Sequence, residues 1–276
     1  MRSKILQSHD SERDYAMSQP AVAALAPQPL DFEIVFDDGE PLESPWHHEQ
    51  MNLLFNLLRE VRAEQRRTDA YIGANQFVYY SVEQAREVAA EVARRGTTEV
   101  RGPDVFWVGG VDPRREREGW VSWEEGGRLP DVIFELLSKS NTLSHREAKK
   151  ELYARVFGTA EYFVAGRKGR RLDGFRLAGG AYRPIVPDGR GWLWSEQLGL
   201  FVGLWQGWVG GQIQAGWARL YRPNGTLVPT PQERADAEHQ RAETERQRAD
   251  AEHRRAETAE AELTRLRALV REQARD

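Results

Sequence analysis

The chain has 276 residues and no cysteine, and its 39 Lys and Arg against 43 Asp and Glu give a formal net charge of −4. The absence of cysteine excludes disulfide-stapled secreted folds and zinc-thiolate sites. No stretch approaches the roughly 20 apolar residues of a membrane helix, and residues 1–14 are too polar and acidic for a secretory signal. We therefore expect a soluble, cytoplasmic protein without membrane contact.

Composition divides the chain into three parts. Residues 1–29 show no sustained apolar period and are predicted to be disordered. Residues 30–231 have the apolar patterning of one folded domain. In residues 232–276, the segment RADAEHQRAETERQ at 234–247 is followed by RADAEHRRAETAEA at 248–261, which is a heptad repeat. This last part predicts a long charged helix, either a solvated spacer or a coiled coil that forms a homo-oligomer.

Helices and strands alternate in the middle part. Ser44 and Pro45 suit a helix start, and apolar residues then recur at helical spacing from Met51 to Val61, which predicts a helix over about 45–65. Further predictions are strands within 70–80 and at 104–111, 120–123, 131–137 and 161–165, a helix over 82–95 ended by Gly96, and short strands with Gly-rich turns over 171–222.

A second long helix is predicted between the strands at 131 and 161. Ser144 and Glu147 form a capping-box pattern that opens it, and it runs to about residue 156. A helix that crosses between two strands of one sheet favours a mixed sheet, so the predicted fold class is α/β (α+β).

Two carboxylates stand out because they accompany apolar strands. Alternation places Glu135 on the same strand face as Ile133, and Asp104 precedes the apolar run at 105–108. A carboxylate on a buried face must find a cation, a metal ion or a hydrogen-bond donor, because burying it alone is costly. The pair could bind Mg²⁺, which prefers oxygen ligands. Alternatively, Asp104 caps its strand and Glu135 pairs with a Lys or Arg.

Three segments, GPDVFWV at 102–108, PDVIFELLS at 130–138 and KKELYARVFGTAEYF at 149–163, resemble the Uma2 family of the PD-(D/E)XK nuclease superfamily. The resemblance covers residues 30–222, and LDGFRLAGGAYRPI at 172–185 and SEQLGLFVGLWQG at 195–207 extend it. It implies a restriction-endonuclease-like central sheet flanked by helices. It also implies a Mg²⁺- or Mn²⁺-dependent endonuclease, with DNA as the expected partner and with Asp104 and Glu135 as metal ligands.

The resemblance also implies a catalytic lysine, but the usual position two residues after the acidic residue is Leu137. The Uma2 pattern has a helix lysine four residues before the tyrosine of LYAR, which corresponds to Lys149. Lys149 is therefore the predicted catalytic lysine, and Lys150 and Lys139 are alternatives.

Two further positions depart from the family pattern. Relatives often carry Asp where this chain has His145 and Gly166. A second interpretation is therefore a catalytically degenerate nuclease fold that acts as a binding or assembly module through its helical tail.

Other candidates have alternative explanations. Asp131 is either an additional metal ligand or the start of its strand. The polar residues of the first helical turn, His47, His48 and Glu49, read as surface residues, although some nucleases of the superfamily place an additional carboxylate there. The basic turn RKGRR at 167–171 is either a phosphate contact or a solvated hairpin tip.

Overall fold

The computed structural model describes residues 31–34, 44–96, 102–137, 143–166 and 171–273. The predicted disorder of 1–29 lies outside the described residues, as do Lys139 and residues 167–170 of the basic turn.

The elements follow the predicted order. The helices are α1 (Pro45–Glu64), α2 (Val82–Arg95), α3 (Leu143–Leu152) and α4 (Pro231–Gln273). The strands are β1 (Ala70–Ala74), β2 (Val78–Tyr79), β3 (Val105–Gly109), β4 (Trp120–Val121), β5 (Val132–Leu137), β6 (Glu161–Gly166), β7 (Arg171–Ala178), β8 (Ala181–Pro184), β9 (Leu193–Ser195), β10 (Leu200–Val209) and β11 (Gln212–Tyr221). A 3₁₀ turn at Ser122–Glu125 shortens the strand that was predicted over 120–123.

Helix α3 departs from its prediction at both ends. It begins at Leu143, so Ser144 lies inside the first turn, whereas the capping-box pattern placed it before the helix. Its continuation, Tyr153–Phe157, is a π-helical turn that ends at Gly158, which adopts a left-handed conformation with φ of 62°.

The central sheet has the order β1-β3-β5-β6-β7-β8. Its neighbouring strands are antiparallel except β5 and β6, which are parallel. Two parallel neighbours need a crossover connection, and α3 provides it. The mixed sheet with flanking helices and a long C-terminal helix confirms the predicted fold class.

Helix α1 packs between the central sheet and the second sheet formed by β9, β10 and β11. Leu54, Leu57 and Leu58 are fully buried, and each buried leucine contributes about 1.5–3 kcal/mol to stability. On the side of the second sheet, Gln50 exchanges hydrogen bonds of 3.1 and 2.8 Å with the backbone of Ala218. Since α1 is held from both sides, its first turn has a fixed position beside the central sheet.

The opposite face of the central sheet lies under α3 and the π turn. Its buried cluster includes Phe106, Ile133 and Tyr162 from three strands, together with Tyr153 and Phe157 from the π turn. This is the face on which the alternation of β5 placed Glu135.

Helix α4 is attached to the domain through its first turn. The backbone N–H of Glu233 donates to Thr230 Oγ1 at 3.1 Å, and that of Thr230 donates to Glu233 Oε2 at 2.8 Å. The buried Arg219 also pairs with Glu233 at 2.7 Å. From residue 235 to 267 every side chain is exposed except the half-buried Ala251. The predicted charged helix is confirmed, while its pairing with a second copy stays a prediction.

Among the helices in the described ranges, none combines the length and the apolar character that crossing a membrane requires.

Candidate active site

Strand pairing brings Asp104 beside Glu135. In the antiparallel pair of β3 and β5, Val105 lies opposite Phe134, so Asp104 lies opposite Glu135. The backbone N–H of Leu136 donates to Asp104 Oδ2 at 2.5 Å, and the Asp104 side chain is 17% exposed. The two predicted carboxylates thus lie at the same level of the sheet.

The glycine before the Pro-Asp pair fixes where this segment lies. A Cβ atom on Gly102 would lie 1.7 Å from the backbone oxygen of Gln76. The N–H of Asn75 donates to the backbone oxygen of Asp104 at 3.0 Å. Because only glycine allows this approach, any larger residue at 102 would push the segment that carries Asp104 away from the sheet.

Glu135 is buried, and only 4% of its side chain is exposed. Lys149 Nζ donates to both of its oxygens, at 3.0 and 2.8 Å, and the hydroxyl of Tyr153 donates to Oε1 at 2.7 Å. Lys149 is about one third exposed. The buried Glu135 carboxylate is therefore paired with a cation that reaches solvent.

The surroundings raise the pKa of Glu135 above its usual value. Burial is the largest cause, and the charge of Asp104 acts in the same direction, while Lys149 and Tyr153 oppose it. Burial also raises the pKa of Tyr153, followed by the charge of Glu135, so this phenol stays protonated and remains a donor. A buried carboxylate whose ionised form is disfavoured by a second carboxylate is a typical feature of a functional site.

The turn spacing of α3 explains why Lys149 and Tyr153 reach the same carboxylate. They are four residues apart and lie on one face of the helix. Lys150 lies on a different face, with Nζ 3.9 Å from the centre of the Phe175 ring. The structure thus brings Lys149, and not its alternative Lys150, to Glu135.

Sequence reasoning missed His47. Its Nε2 lies 2.8 Å from Asp104 Oδ1, and the residue is 7% exposed, so its interpretation as a surface residue is wrong. A signal was present, because His47 precedes Met51 by four residues and so shares the apolar face of α1. Asp104 is thereby held between the first turn of α1 and the backbone of β5.

The other candidates lie away from this pair. Asp131 accepts a hydrogen bond of 2.6 Å from the N–H of Gly109. Four residues separate it from Glu135, which is about 13 Å along a strand, so it acts at the strand start. His48 is exposed, as predicted. Glu49 contacts the β10–β11 hairpin at Gly210 and provides no additional carboxylate here.

The comparisons with known proteins identify the family of the chain. The Uma2 family model, described as "Putative restriction endonuclease", matches residues 21–209, which is more than half of the chain. The chain belongs to the Uma2 family. A solved structure described as a putative nuclease belonging to DUF820, from Anabaena variabilis ATCC 29413, is 14% identical with a TM-score of 0.38. The match covers 57% of this chain and 76% of that one. No curated protein matches the chain.

Two departures from the Uma2 pattern lie next to each other. Leu137 pairs in register with Gly166 across the parallel strands. A Cβ atom on Gly166 would lie 3.1 Å from Leu137 Cδ1, so the leucine occupies the space that a side chain at 166 would need. The side chain of His145, the third departure, lies outside the described residues.

The carboxylate oxygens of this Uma2 site suit a cation that prefers oxygen ligands and that needs only one or two of them from the protein. Among the described residues, no group of three or more His, Asp or Glu side chains is arranged to hold a metal ion. Mg²⁺ is commonly bound through one or two carboxylates and keeps several of its waters. Asp104 and Glu135 fit that mode, because they lie opposite each other in the register of two neighbouring strands and Asp104 is partly open to solvent.

Proposed function

We propose that this Uma2 protein is a metal-dependent phosphodiester hydrolase that acts as a DNA endonuclease. In this proposal Asp104 and Glu135 bind Mg²⁺ or Mn²⁺, and Lys149 is the catalytic lysine. The observation that carries the proposal is a buried glutamate that binds one partly exposed lysine and lies opposite a second carboxylate in the register of two neighbouring strands. The family description, a restriction endonuclease, supports DNA as the substrate.

The chain's own residues prepare the site for this chemistry. His47 and the N–H of Leu136 each hold one oxygen of Asp104. Tyr153 holds Glu135 Oε1 from the buried side. Carboxylates fixed in this way present their remaining lone pairs in one orientation, which a metal site requires.

Lys149 contributes a partly exposed positive charge. Its ammonium group lies on Glu135 and is partly exposed, so it is placed to donate to an attacking water or to a nonbridging phosphate oxygen. A donor aimed at developing negative charge stabilises the transition state by several kcal/mol. When bound, the metal ion would supply a water of lowered pKa and would polarise the phosphoryl group.

Cleavage of supercoiled plasmid tests the proposal. The wild-type protein is expected to nick plasmid with Mg²⁺ or Mn²⁺ and not with EDTA, and Asp104→Ala, Glu135→Ala and Lys149→Ala are expected to abolish nicking. Arg155→Ala is the matched control, since Arg155 is a 72% exposed residue of the adjoining turn whose side chain pairs with Glu151. A wild-type protein that cleaves nothing, or variants as active as wild type, would show that the assignment is wrong.

A second candidate function, assembly through the tail, is favoured by the exposure of α4 beyond its first turn. It predicts self-association that is lost when residues 239–276 are deleted, a deletion that leaves the Arg219–Glu233 contact in place. Light scattering of the full chain and the truncated chain measures this directly. The assembly function also predicts that the folded domain has no affinity for Mg²⁺, and this distinguishes it from the nuclease function.

A further inference from the structure

A cationic cleft adjoins the candidate active site on the other side of α3. It has a volume of about 60 Å³ and lies between α3 and strands β6 and β7. Arg146 and Lys150 of the helix, Tyr162 of β6 and Phe175 of β7 contribute to its walls. No role in metal binding or in catalysis falls to these residues in the site described above.

Strand register places the cleft close to Glu135. Val164, which forms part of the cleft, is paired with Glu135 on β5 and with Asp173 on β7. Neighbouring strands are about 4.8 Å apart, so the cleft begins one strand from Glu135 and extends to about 10 Å from it. A ligand that occupied both places would extend across three adjacent strands.

The charges of the cleft are not balanced within it. Arg171 is paired with Asp173, and the exposed Glu147 is the other acidic residue of its walls. Lys150 lies over the Phe175 ring, and no described carboxylate forms an ion pair with it. Three cations against two acids leave an excess positive charge.

Arg146 adds an unsatisfied donor. Its Nε is buried and has no hydrogen-bond partner among the described residues. Such a group in a native protein calls for an explanation, and a bound ion is one of the recognised explanations. The hydroxyl of Tyr162 adds a neutral donor, because burial raises the pKa of this phenol and keeps it protonated.

The size of the cleft matches one tetrahedral anion. A single water needs about 10–15 Å³ of such a cavity, so 60 Å³ accommodates about four water-sized groups. A phosphodiester has two nonbridging oxygens and two bridging oxygens around one phosphorus. Arginine and lysine are the side chains that most often bind such groups.

We propose that this cleft binds a backbone phosphodiester of the nucleic acid, within about three nucleotides of the phosphate at Glu135, through Arg146 and Lys150. The inference rests on the proposed nuclease function and adds a second phosphate contact to it. Contacts of this kind are independent of sequence and fix the register of the strand at the site.

Binding of a fluorescent DNA duplex in EDTA, measured over a range of salt concentrations, tests the cleft without cleavage. The variant Arg146→Ala/Lys150→Ala is expected to bind at least tenfold more weakly than wild type. The slope of log K against log salt is expected to fall by about 0.9, the value for one lost phosphate contact. Arg155→Ala is expected to keep both the affinity and the slope. The charge-conserving Lys150→Arg is expected to bind more tightly than Lys150→Ala.

Folding of each variant is checked by thermal melting. If the double variant melts well below wild type, the single substitutions Arg146→Gln and Lys150→Gln, which keep most of the side-chain stems, are compared in its place. Each is expected to weaken binding severalfold and to lower the slope.

The possible results distinguish a failure of the cleft assignment from a failure of the nuclease proposal. If folded variants bind DNA with the affinity and slope of wild type, or if wild type binds no DNA at low salt, the cleft assignment is overturned. If the variants lose affinity as expected while wild-type protein cleaves nothing with Mg²⁺ or Mn²⁺, the cleft assignment is supported and the nuclease proposal fails.

Discussion

Two buried glutamates on adjacent parallel strands show how differently one protein can treat the same side chain. Glu135 of β5 is 3% exposed and Glu161 of β6 is 1% exposed. Glu161 pairs in register with Val132, whose position in the alternation of β5 is opposite to that of Glu135. The two carboxylates therefore lie on opposite faces of the central sheet.

Glu161 is enclosed by donors. It accepts from the hydroxyl of Ser195, from the N–H of Glu196 at 2.8 Å and from Arg176 at 3.1 Å. These contacts connect the central sheet to the end of β9 and to the segment after it. The second carboxylate of this network, on the exposed Glu196, is neutralised by Arg176 at 2.7 Å. Burial is compensated here by local hydrogen bonds, and the role is structural.

Glu135 has the opposite arrangement. A second carboxylate, Asp104, lies opposite it in register and raises its pKa, and its one cationic partner, Lys149, reaches solvent. Such an arrangement sacrifices stability, and proteins retain it where function requires it. Burial alone therefore does not mark a functional carboxylate, whereas burial opposite a second, largely buried carboxylate of the neighbouring strand points to one.

The sharpest test of this comparison is the same substitution at both positions. Glu135→Gln is expected to lower plasmid cleavage about a thousandfold, because a metal ligand is lost. It should change the free energy of unfolding by less than about 1 kcal/mol, since it also removes a disfavoured charge. Glu161→Gln should lower the free energy of unfolding by about 2–4 kcal/mol, because the NH₂ group of the new amide would face the N–H and O–H donors that surround this side chain. Urea unfolding and plasmid cleavage measure the two effects, and equal stability losses would contradict the comparison.

Lys149→Ala is expected to have the next largest effect on cleavage. Cleavage should fall about a hundredfold, because a donor to the developing charge is lost. Lys149→Arg should recover part of the activity, since the positive charge is retained. Cleavage rates at saturating DNA measure both variants, and an alanine variant with wild-type activity would remove Lys149 from the mechanism.

His47→Gln should lower cleavage about tenfold, within the range found for residues that orient metal ligands. The expected cause is looser positioning of Asp104, so the Mg²⁺ concentration for half-maximal cleavage should rise. His48→Gln is the matched control, because His48 is exposed and, among the described residues, its side chain hydrogen bonds only to Asn52. Equal behaviour of the two variants would show that His47 has no positioning role.

Tyr153→Phe should have a smaller effect, about fivefold on cleavage, because Lys149 still holds both oxygens of Glu135. The phenol donates one hydrogen bond to a charged acceptor, so its loss should also reduce stability by about 1.5–3 kcal/mol. Melting and cleavage measured on the same preparation distinguish the two losses. No change in either would indicate that the Tyr153–Glu135 hydrogen bond is absent in solution.

Deletion of residues 239–276 should have the smallest effect on the domain. The exposed part of α4 makes no described contact with the core, so stability and cleavage should stay within experimental error of the full chain. Unfolding and plasmid cleavage of the truncated protein measure this. A large loss of cleavage would assign the tail a role in the nuclease reaction itself.

The sequence predicted the elements well because their signals are local. Apolar periodicity, Pro45 at the first helical position and Gly96 at a helix end are contained within a few residues. The face of Glu135 followed from simple alternation along β5. The meeting of Asp104 with Glu135, which are 31 residues apart, depends on the register of β3 and β5. Local patterning suggested the pair, and the family resemblance implied that both bind a metal ion, but neither gave the register.

The features that sequence reasoning missed are long-range. His47 is 57 residues from Asp104, and its only signal was its place on the apolar face of α1. Apart from Arg176, which is 15 residues away, the partners of Glu161 lie 34 residues or more along the chain, on β9 and just after it. The cleft beside α3 forms because the side chain of Lys150 lies on the helix face that packs against β7, and this packing is a long-range contact.

Calorimetric titration with Mn²⁺ and Mg²⁺ tests the central claim most directly, because it asks whether Asp104 and Glu135 share a cation independently of any substrate. The account predicts saturable binding to wild-type protein that is lost in Asp104→Asn and in Glu135→Gln and retained in Glu161→Asp. A folded wild-type protein that gives no binding heat with either ion, or binding that persists in both site variants, would contradict it.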